Sequence, residues 1–130
     1  MSGRIRYTRQ NIVNNFFYQL PRFLFDPEFI NLSSDAKLLY SILRNRHEMS
    51  VKNDWVDEND DVYIYFKRED MQAMLGLSDK PIAKAMKDLK AYGLLEETKQ
   101  GLGKPNRIYL LTAGAAPHEV AIDDEYAEMG

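Results

Sequence analysis

Lys80, Lys84 and Lys87 stand three and four residues apart within the stretch Ser78–Tyr92, a spacing that lines them along one face of a helix. Ala83 and Ala91 lie beside them. Lysine ammoniums neutralise phosphates and donate to guanine O6 and N7, and a small alanine leaves room for a groove wall or a thymine methyl. A second basic set, Lys99, Lys104 and Arg107, flanks the glycine-containing run Gln100-Gly101-Leu102-Gly103-Lys104-Pro105-Asn106. A third, Arg4, Arg6 and Arg9, alternates loosely with Ile5 and Tyr7 near the N-terminus, the composition of an arm that enters a minor groove. Each set has a plainer reading: a solvated helix face, a hairpin that needs glycines to turn, a frayed terminus. Their order along the chain favours DNA contact.

Other chemistries find no support. There are no cysteines, and the two histidines, His47 and His118, are far apart, so no nucleophilic triad or metal site is recognisable. Asp57-Glu58-Asn59-Asp60-Asp61 opens with the oxygen spacing of a calcium loop. It has Val62 at the glycine position and Arg68 at the closing glutamate, and reads as a solvated turn. Gly103-Lys104 resembles the end of a phosphate-binding loop, but Pro105 replaces the required Ser or Thr. The residues imply no catalysis, metal or cofactor.

The elements that must carry the basic residues follow from periodicity and punctuation. Leu32-Ser33-Ser34-Asp35 is a helix start, with serines to cap and an acid in the first turn. Ala36, Leu39, Tyr40 and Leu43 then recur at helical spacing, with Ile42 flanking, in a helix expected to end near Met49. Val62-Tyr63-Ile64-Tyr65-Phe66 is expected as a strand after a turn at Asn59-Asp60. A short helix over Arg68–Leu75, with Met71, Met74 and Leu75 on its inner side, ends at Gly76. Ser78 caps a second helix to Tyr92, with Pro81 in its first turn and Ile82, Met86 and Leu89 opposite the lysines. Leu94–Lys99 and Arg107–Leu111 form a hairpin around the basic glycine run. Helix, helix and hairpin in this order make a winged helix-turn-helix. The fold class is therefore α+β: a winged helix-turn-helix with a small antiparallel sheet, Val62–Phe66 supplying its third strand, and an N-terminal extension.

The 130 residues fit one domain: a basic arm over residues 1–15, a winged-helix domain over 16–111, and a linker with an acidic tail over 112–130. Five of the six phenylalanines fall between Phe16 and Phe29, where Pro21 and Pro27 break any long helix. That belt is expected to be divided, part sealing the core and part meeting a second subunit. The net charge of −3 is unevenly spread: residues 112–130 carry five acids and no Lys or Arg, which leaves 17 basic and 15 acidic residues before them. A basic face is compatible with that balance. The chain has neither the apolar run of a secretory signal nor the ~18 apolar residues of a membrane span, and a cytoplasmic, membrane-free protein is expected.

Phe17-Tyr18-Gln19-Leu20-Pro21-Arg22, Leu32-Ser33-Ser34-Asp35-Ala36-Lys37-Leu38-Leu39-Tyr40, Trp55-Val56-Asp57-Glu58-Asn59, Val62-Tyr63-Ile64-Tyr65-Phe66, Gly93-Leu94-Leu95-Glu96-Glu97 and Lys104-Pro105-Asn106-Arg107-Ile108-Tyr109-Leu110 resemble the replication initiator A (RepA) N-terminal family of Gram-positive plasmids and mobile elements. The resemblance runs from about Asn14 to Leu111 in unbroken order. It implies a dimeric winged helix that binds repeated double-stranded sites at an origin, lacks enzymatic activity and relies on host replication machinery. On this chain the family's DNA-contacting roles would fall to Lys80, Lys84 and Lys87, to Lys104 and Arg107, and to Arg4, Arg6 and Arg9. Lys67 replaces a capping Ser or Thr, Asp60 a turn glycine, and Ser78-Asp79-Lys80-Pro81 departs from the usual helix opening. Family members also carry a C-terminal domain that would meet host proteins, so the chain is expected to be a fragment or a short member. Two further readings stay open: a winged-helix transcriptional repressor, and a protein-interaction module that does not bind DNA.

Overall fold

Ser33 begins the first long helix by accepting a hydrogen bond from the Ala36 amide on its side-chain oxygen, at 3.1 Å. This helix, α1, spans Ser34–Lys52 in a computed structural model that describes residues 3–10 and 17–113. Ala36, Leu39, Tyr40, Ile42 and Leu43 are buried along its inner face, as their periodicity predicts. The helix runs three residues past the expected end. Ser50 is buried, its hydroxyl donates to the Arg46 carbonyl, and its own carbonyl accepts from the Trp55 amide. The extra turn is thereby sealed, and Asp54, at φ 61°, turns the chain away.

Helix α2, Arg68–Leu75, ends on Gly76 in the left-handed conformation, at φ 66°. No side chain caps its start at Lys67; Glu69 and Asp70 complement the first turn instead. Met71 is buried and Leu75 packs against the core, but Met74 is exposed, because at 100° per residue it lies about 60° from Met71 on the side away from Leu75. Helix α3, Asp79–Ala91, buries Ile82, Ala85, Met86 and Leu89. Ser78 occupies the capping position with no side-chain hydrogen bond. The core forms where α3 lies against α1 and α2, closed by Leu94, Leu95 and Ile108 from the hairpin.

Strands β1 (Leu95–Thr98) and β2 (Arg107–Leu110) pair antiparallel, with Leu95 opposite Leu110 and Thr98 opposite Arg107. The third strand expected over Val62–Phe66 is not a continuous strand. Its backbone is divided between two partners: Val62 bridges Val56 on one side, and Ile64 exchanges both hydrogen bonds with Ile108 on the other, at 2.9 and 3.0 Å. The turn before it is set by the Asp57 carboxylate, which accepts from the Asn59 and Asp61 amides while Asp60 takes φ 67°. The arrangement is a winged helix-turn-helix of the α+β class.

The phenylalanine belt divides. Two 3-10 turns, Arg22–Phe25 and Pro27–Phe29, strap the domain and bury Phe23, Leu24 and Phe29. Phe23 meets Phe29 and Tyr40 edge-on, and Phe29 reaches Tyr92 beyond α3. The Ser41 hydroxyl donates to the Gln19 carbonyl at 2.6 Å, fixing the strap to α1. Phe17, Phe25 and Ile30 stay on the surface, at 64%, 61% and 69% exposure. Phe16 and the tail beyond Ala113 lie outside the described residues.

Candidate nucleic-acid interface

Helix α3 turns 100° per residue, so burial of Ile82, Met86 and Leu89 forces Lys80, Lys84, Lys87 and Ala91 outward. All four are exposed. The three lysines span about 10 Å of helix axis. They are not equivalent. Lys84 Nζ lies 2.9 Å from Asp88 Oδ2, one helical turn on, whereas Lys80 and Lys87 have no acidic partner among the described residues. A fourth lysine, Lys90, points toward the hairpin and pairs with Glu97 at 2.8 Å.

The start of α3 is held by α2. Asp79 Oδ1 accepts from Arg68 at 3.2 Å and from Gln72 at 3.3 Å. Asp79 thus tethers the two helices of the motif to each other.

At its base the wing is fastened on both edges. Glu97 accepts from Lys90 and, at 3.1 Å, from Asn106 on the returning strand. Burial alone would raise the Glu97 pKa, but the Lys90 and Asn106 hydrogen bonds outweigh it and hold the carboxyl below its usual range. Gln100 Nε2 donates to the Pro105 carbonyl at 2.8 Å and to the Tyr65 hydroxyl at 3.1 Å. Beyond this base, the Lys104 amide donates to the Gly101 carbonyl across a tight turn. Gly103, at φ 77°, takes the conformation that a type II turn requires at its third residue. Lys99 and Lys104 are exposed on either side.

Arg107 is placed differently from the other basic residues. Its guanidinium lies over the Tyr63 ring, 4.2 Å from the centroid, and its Nε meets no hydrogen-bond partner among the described residues. Tyr109 and Tyr65 hydroxyls beside it favour the charged form. Tyr63 and Tyr65 meet edge-on, Trp55 packs on Tyr65, and the Tyr109 hydroxyl donates to Asp57 Oδ2 at 2.9 Å. The backbone bond from Asp61, with those from the Tyr109 hydroxyl and the Asn59 amide, holds the Asp57 pKa down. Arg107 therefore sits inside an aromatic cluster that joins β2 to the acidic turn.

Arg4, Arg6 and Arg9 are exposed in an N-terminal segment without regular structure. The structure thus brings Lys80, Lys84 and Lys87 together on one face, sets Lys104 at the wing tip and Arg107 at the wing base. Among the described residues there is no group of three potential metal ligands, and no helix is long and apolar enough to cross a membrane.

The Lys84–Asp88 pair was legible as an i, i+4 spacing, and nothing in the sequence announced that Asp79 would find Arg68 or that Gln100 would find Tyr65. Those partners are brought together only by the packing of α2 on α3 and by the turn of the hairpin.

Residues 16–122 match the family model described as replication initiator protein A (RepA) N-terminus. A 41 kDa protein of Lactobacillus helveticus is 30% identical over 94% of this chain, and the chain spans 36% of that relative's length. Among solved structures, one described as the N-terminal domain of a DNA-binding protein is 30% identical, with TM-score 0.76 and 98% of each chain covered. One described as a Rep–DNA complex is 31% identical, with TM-score 0.75, covering 97% of this chain and 98% of that one. One described as an MDR initiator is 31% identical, with TM-score 0.71 and coverage of 95% and 98%. With most of its length matched by the family model, this chain belongs to the RepA N-terminus family of replication initiators.

Proposed function

We propose that this chain binds double-stranded DNA at a plasmid or mobile-element origin and thereby initiates replication by host machinery. The observation that carries the reading is the exposed Lys80 and Lys87 on the outer face of α3, neither ion-paired with an acid among the described residues, in a family of replication initiators. The solved Rep–DNA complex of similar fold supports it. In this reading α3 enters the major groove, with Lys80 and Lys87 on phosphates or guanine edges and Lys84 joining once Asp88 releases it. Lys104 lies on the adjoining backbone, and Arg4, Arg6 and Arg9 follow the neighbouring minor groove. Arg107 contributes positive charge from within its aromatic cluster and holds the wing in place.

The protein works in the cytoplasm as a binder, not an enzyme. Two copies bind repeated sites as a homodimer, for which the exposed Phe17, Phe25 and Ile30 beside the strap are apolar anchors. Recruitment of host replication proteins falls to a C-terminal domain of the kind the longer relative has room for.

A plasmid carrying the gene and its flanking DNA as sole origin tests this directly. The wild-type gene is expected to maintain the plasmid, and Lys80→Ala with Lys87→Ala to abolish maintenance while the protein stays folded by circular dichroism. Maintenance undiminished by the double substitution would overturn the reading.

A further inference from the structure

The residue at the outermost point of the wing is neither basic nor polar. Leu102 has 104% exposure, so no part of the described protein shields it. It lies in the Gly101–Lys104 turn, at the position followed by Gly103. An isolated surface leucine is common and calls for no explanation by itself. This one differs in how it is presented.

Gly101 and Gly103 flank Leu102, leaving it the sole side chain at the apex. Both glycines hold positive φ, 125° and 77°, which the turn itself requires, and the result is a tip with no side chain on either side of Leu102. The turn behind it is held, not loose: Gln100 grips both Pro105 and Tyr65, and Asn106 grips Glu97. Lys99 and Lys104 stand on its two flanks, exposed. Finally, the Lys90–Glu97 pair ties the hairpin base to the end of α3. The tip is thus a slim apolar point, flanked by positive charge, on a rigid mount beside the helix proposed to read DNA.

A minor groove about 6 Å wide admits such a tip, with the lysines on its phosphate walls. An apolar side chain there packs on sugars and base edges, and separates a base step when that step is easily unstacked. We propose that Leu102 is a minor-groove probe that discriminates A·T from G·C pairs beside the sequence read by α3. The exocyclic amino group of guanine fills the groove floor and would clash with the leucine, whereas A·T pairs leave the floor open. This inference rests on the DNA-binding reading above and adds a specificity-determining residue to it.

The test uses a duplex that the protein itself selects from a randomised pool. Replacing adenine by 2,6-diaminopurine one position at a time adds the minor-groove amino group and leaves the major-groove acceptors in place. Wild-type affinity is expected to fall about tenfold at one or two adjacent positions flanking the core site. Leu102→Ala is expected to bind several-fold more weakly and to be indifferent to diaminopurine at those positions, while Leu102→Met restores the sensitivity. Because no described residue shields Leu102, these variants are expected to fold as the wild type does. Wild-type binding insensitive to diaminopurine throughout, or a Leu102→Ala protein with unchanged affinity and pattern, would overturn the proposal. A protein that selects no duplex overturns the DNA-binding reading itself; selection that depends on Lys80 and Lys87 but ignores Leu102 overturns this inference alone.

Discussion

Arg68, the first residue of α2, reaches Asp79, the first residue of α3, across 3.2 Å. The two helices of the motif are therefore joined at their starts as well as through the core. The Arg68 side chain is 40% and the Asp79 side chain 68% exposed, and pairs this open to solvent contribute at most about 1 kcal/mol. Asp79→Ala is expected to lower stability in a urea titration by no more than about that amount. A loss beyond about 2 kcal/mol would mean that Asp79 carries structural weight that an exposed ion pair does not explain.

Lys84 and Asp88 make the proposed reading face self-limiting. Their 2.9 Å pair keeps one of the three lysines engaged within the helix. Asp88→Ala frees Lys84 and removes a negative charge from the flank of α3. DNA affinity is expected to rise about two- to fivefold at low salt, an effect that fades as salt screens it. Lys84→Ala correspondingly costs less affinity than Lys87→Ala, which the same titration would show. Equal losses for the two would indicate that the pair dissolves without cost on binding.

Ile82 is fully buried on the side of α3 opposite the lysines. Truncation to alanine removes three carbons from a packed site between helices, so Ile82→Ala is expected to destabilise by about 2–5 kcal/mol in chemical denaturation. DNA binding by the fraction still folded should be unchanged, because no proposed contact is lost. A cost under about 1 kcal/mol would contradict the core assignment.

Stability should fall in mild acid. Burial, with Arg44 nearby, holds His47 below the ordinary histidine pKa, and its Nε2 has no hydrogen-bond partner among the described residues. The unfolded chain therefore binds a proton that the folded chain resists. The His47 contribution is complete above about pH 6.5 and is lost as pH drops through the folded-state value. Asp57, held below the carboxylate range by the Asp61 amide and Tyr109, adds a loss of the same sign at lower pH, below about 4. Urea midpoints at pH 7.5 and 5.5 should differ for the wild type and differ less for His47→Gln. Identical differences in both proteins would remove His47 from the account.

Much of this architecture can be read from residue order. Ser33, Gly76 and the Ile82/Met86/Leu89 face place the helices because capping, left-handed turns and amphipathic spacing are local effects. The lysine face follows from the buried face by geometry alone. What local chemistry cannot supply is the partner of a side chain across the fold. Val62–Phe66 has the composition of a strand, yet its backbone serves Val56 and Ile108 in turn and its tyrosines pack on Trp55 and Arg107. Arg107, basic and next to the glycine-containing turn, reads as a phosphate contact, and only the fold shows that its guanidinium also lies over the Tyr63 ring. Leu102 is inconspicuous among the glycines and lysines around it, because its exposure arises only once the hairpin is folded.

In the proposed complex Lys80 and Lys87 on α3 hold DNA phosphates or base edges. Fluorescence anisotropy with a duplex from the DNA flanking the gene, titrated at several salt concentrations between about 50 and 200 mM, measures this directly. Wild-type binding is expected to be steeply salt-dependent. Lys80→Ala with Lys87→Ala is expected to bind more weakly, with a log–log salt slope shallower by about 2. An unchanged affinity and an unchanged slope in the double variant would mean that these two lysines do not contact DNA.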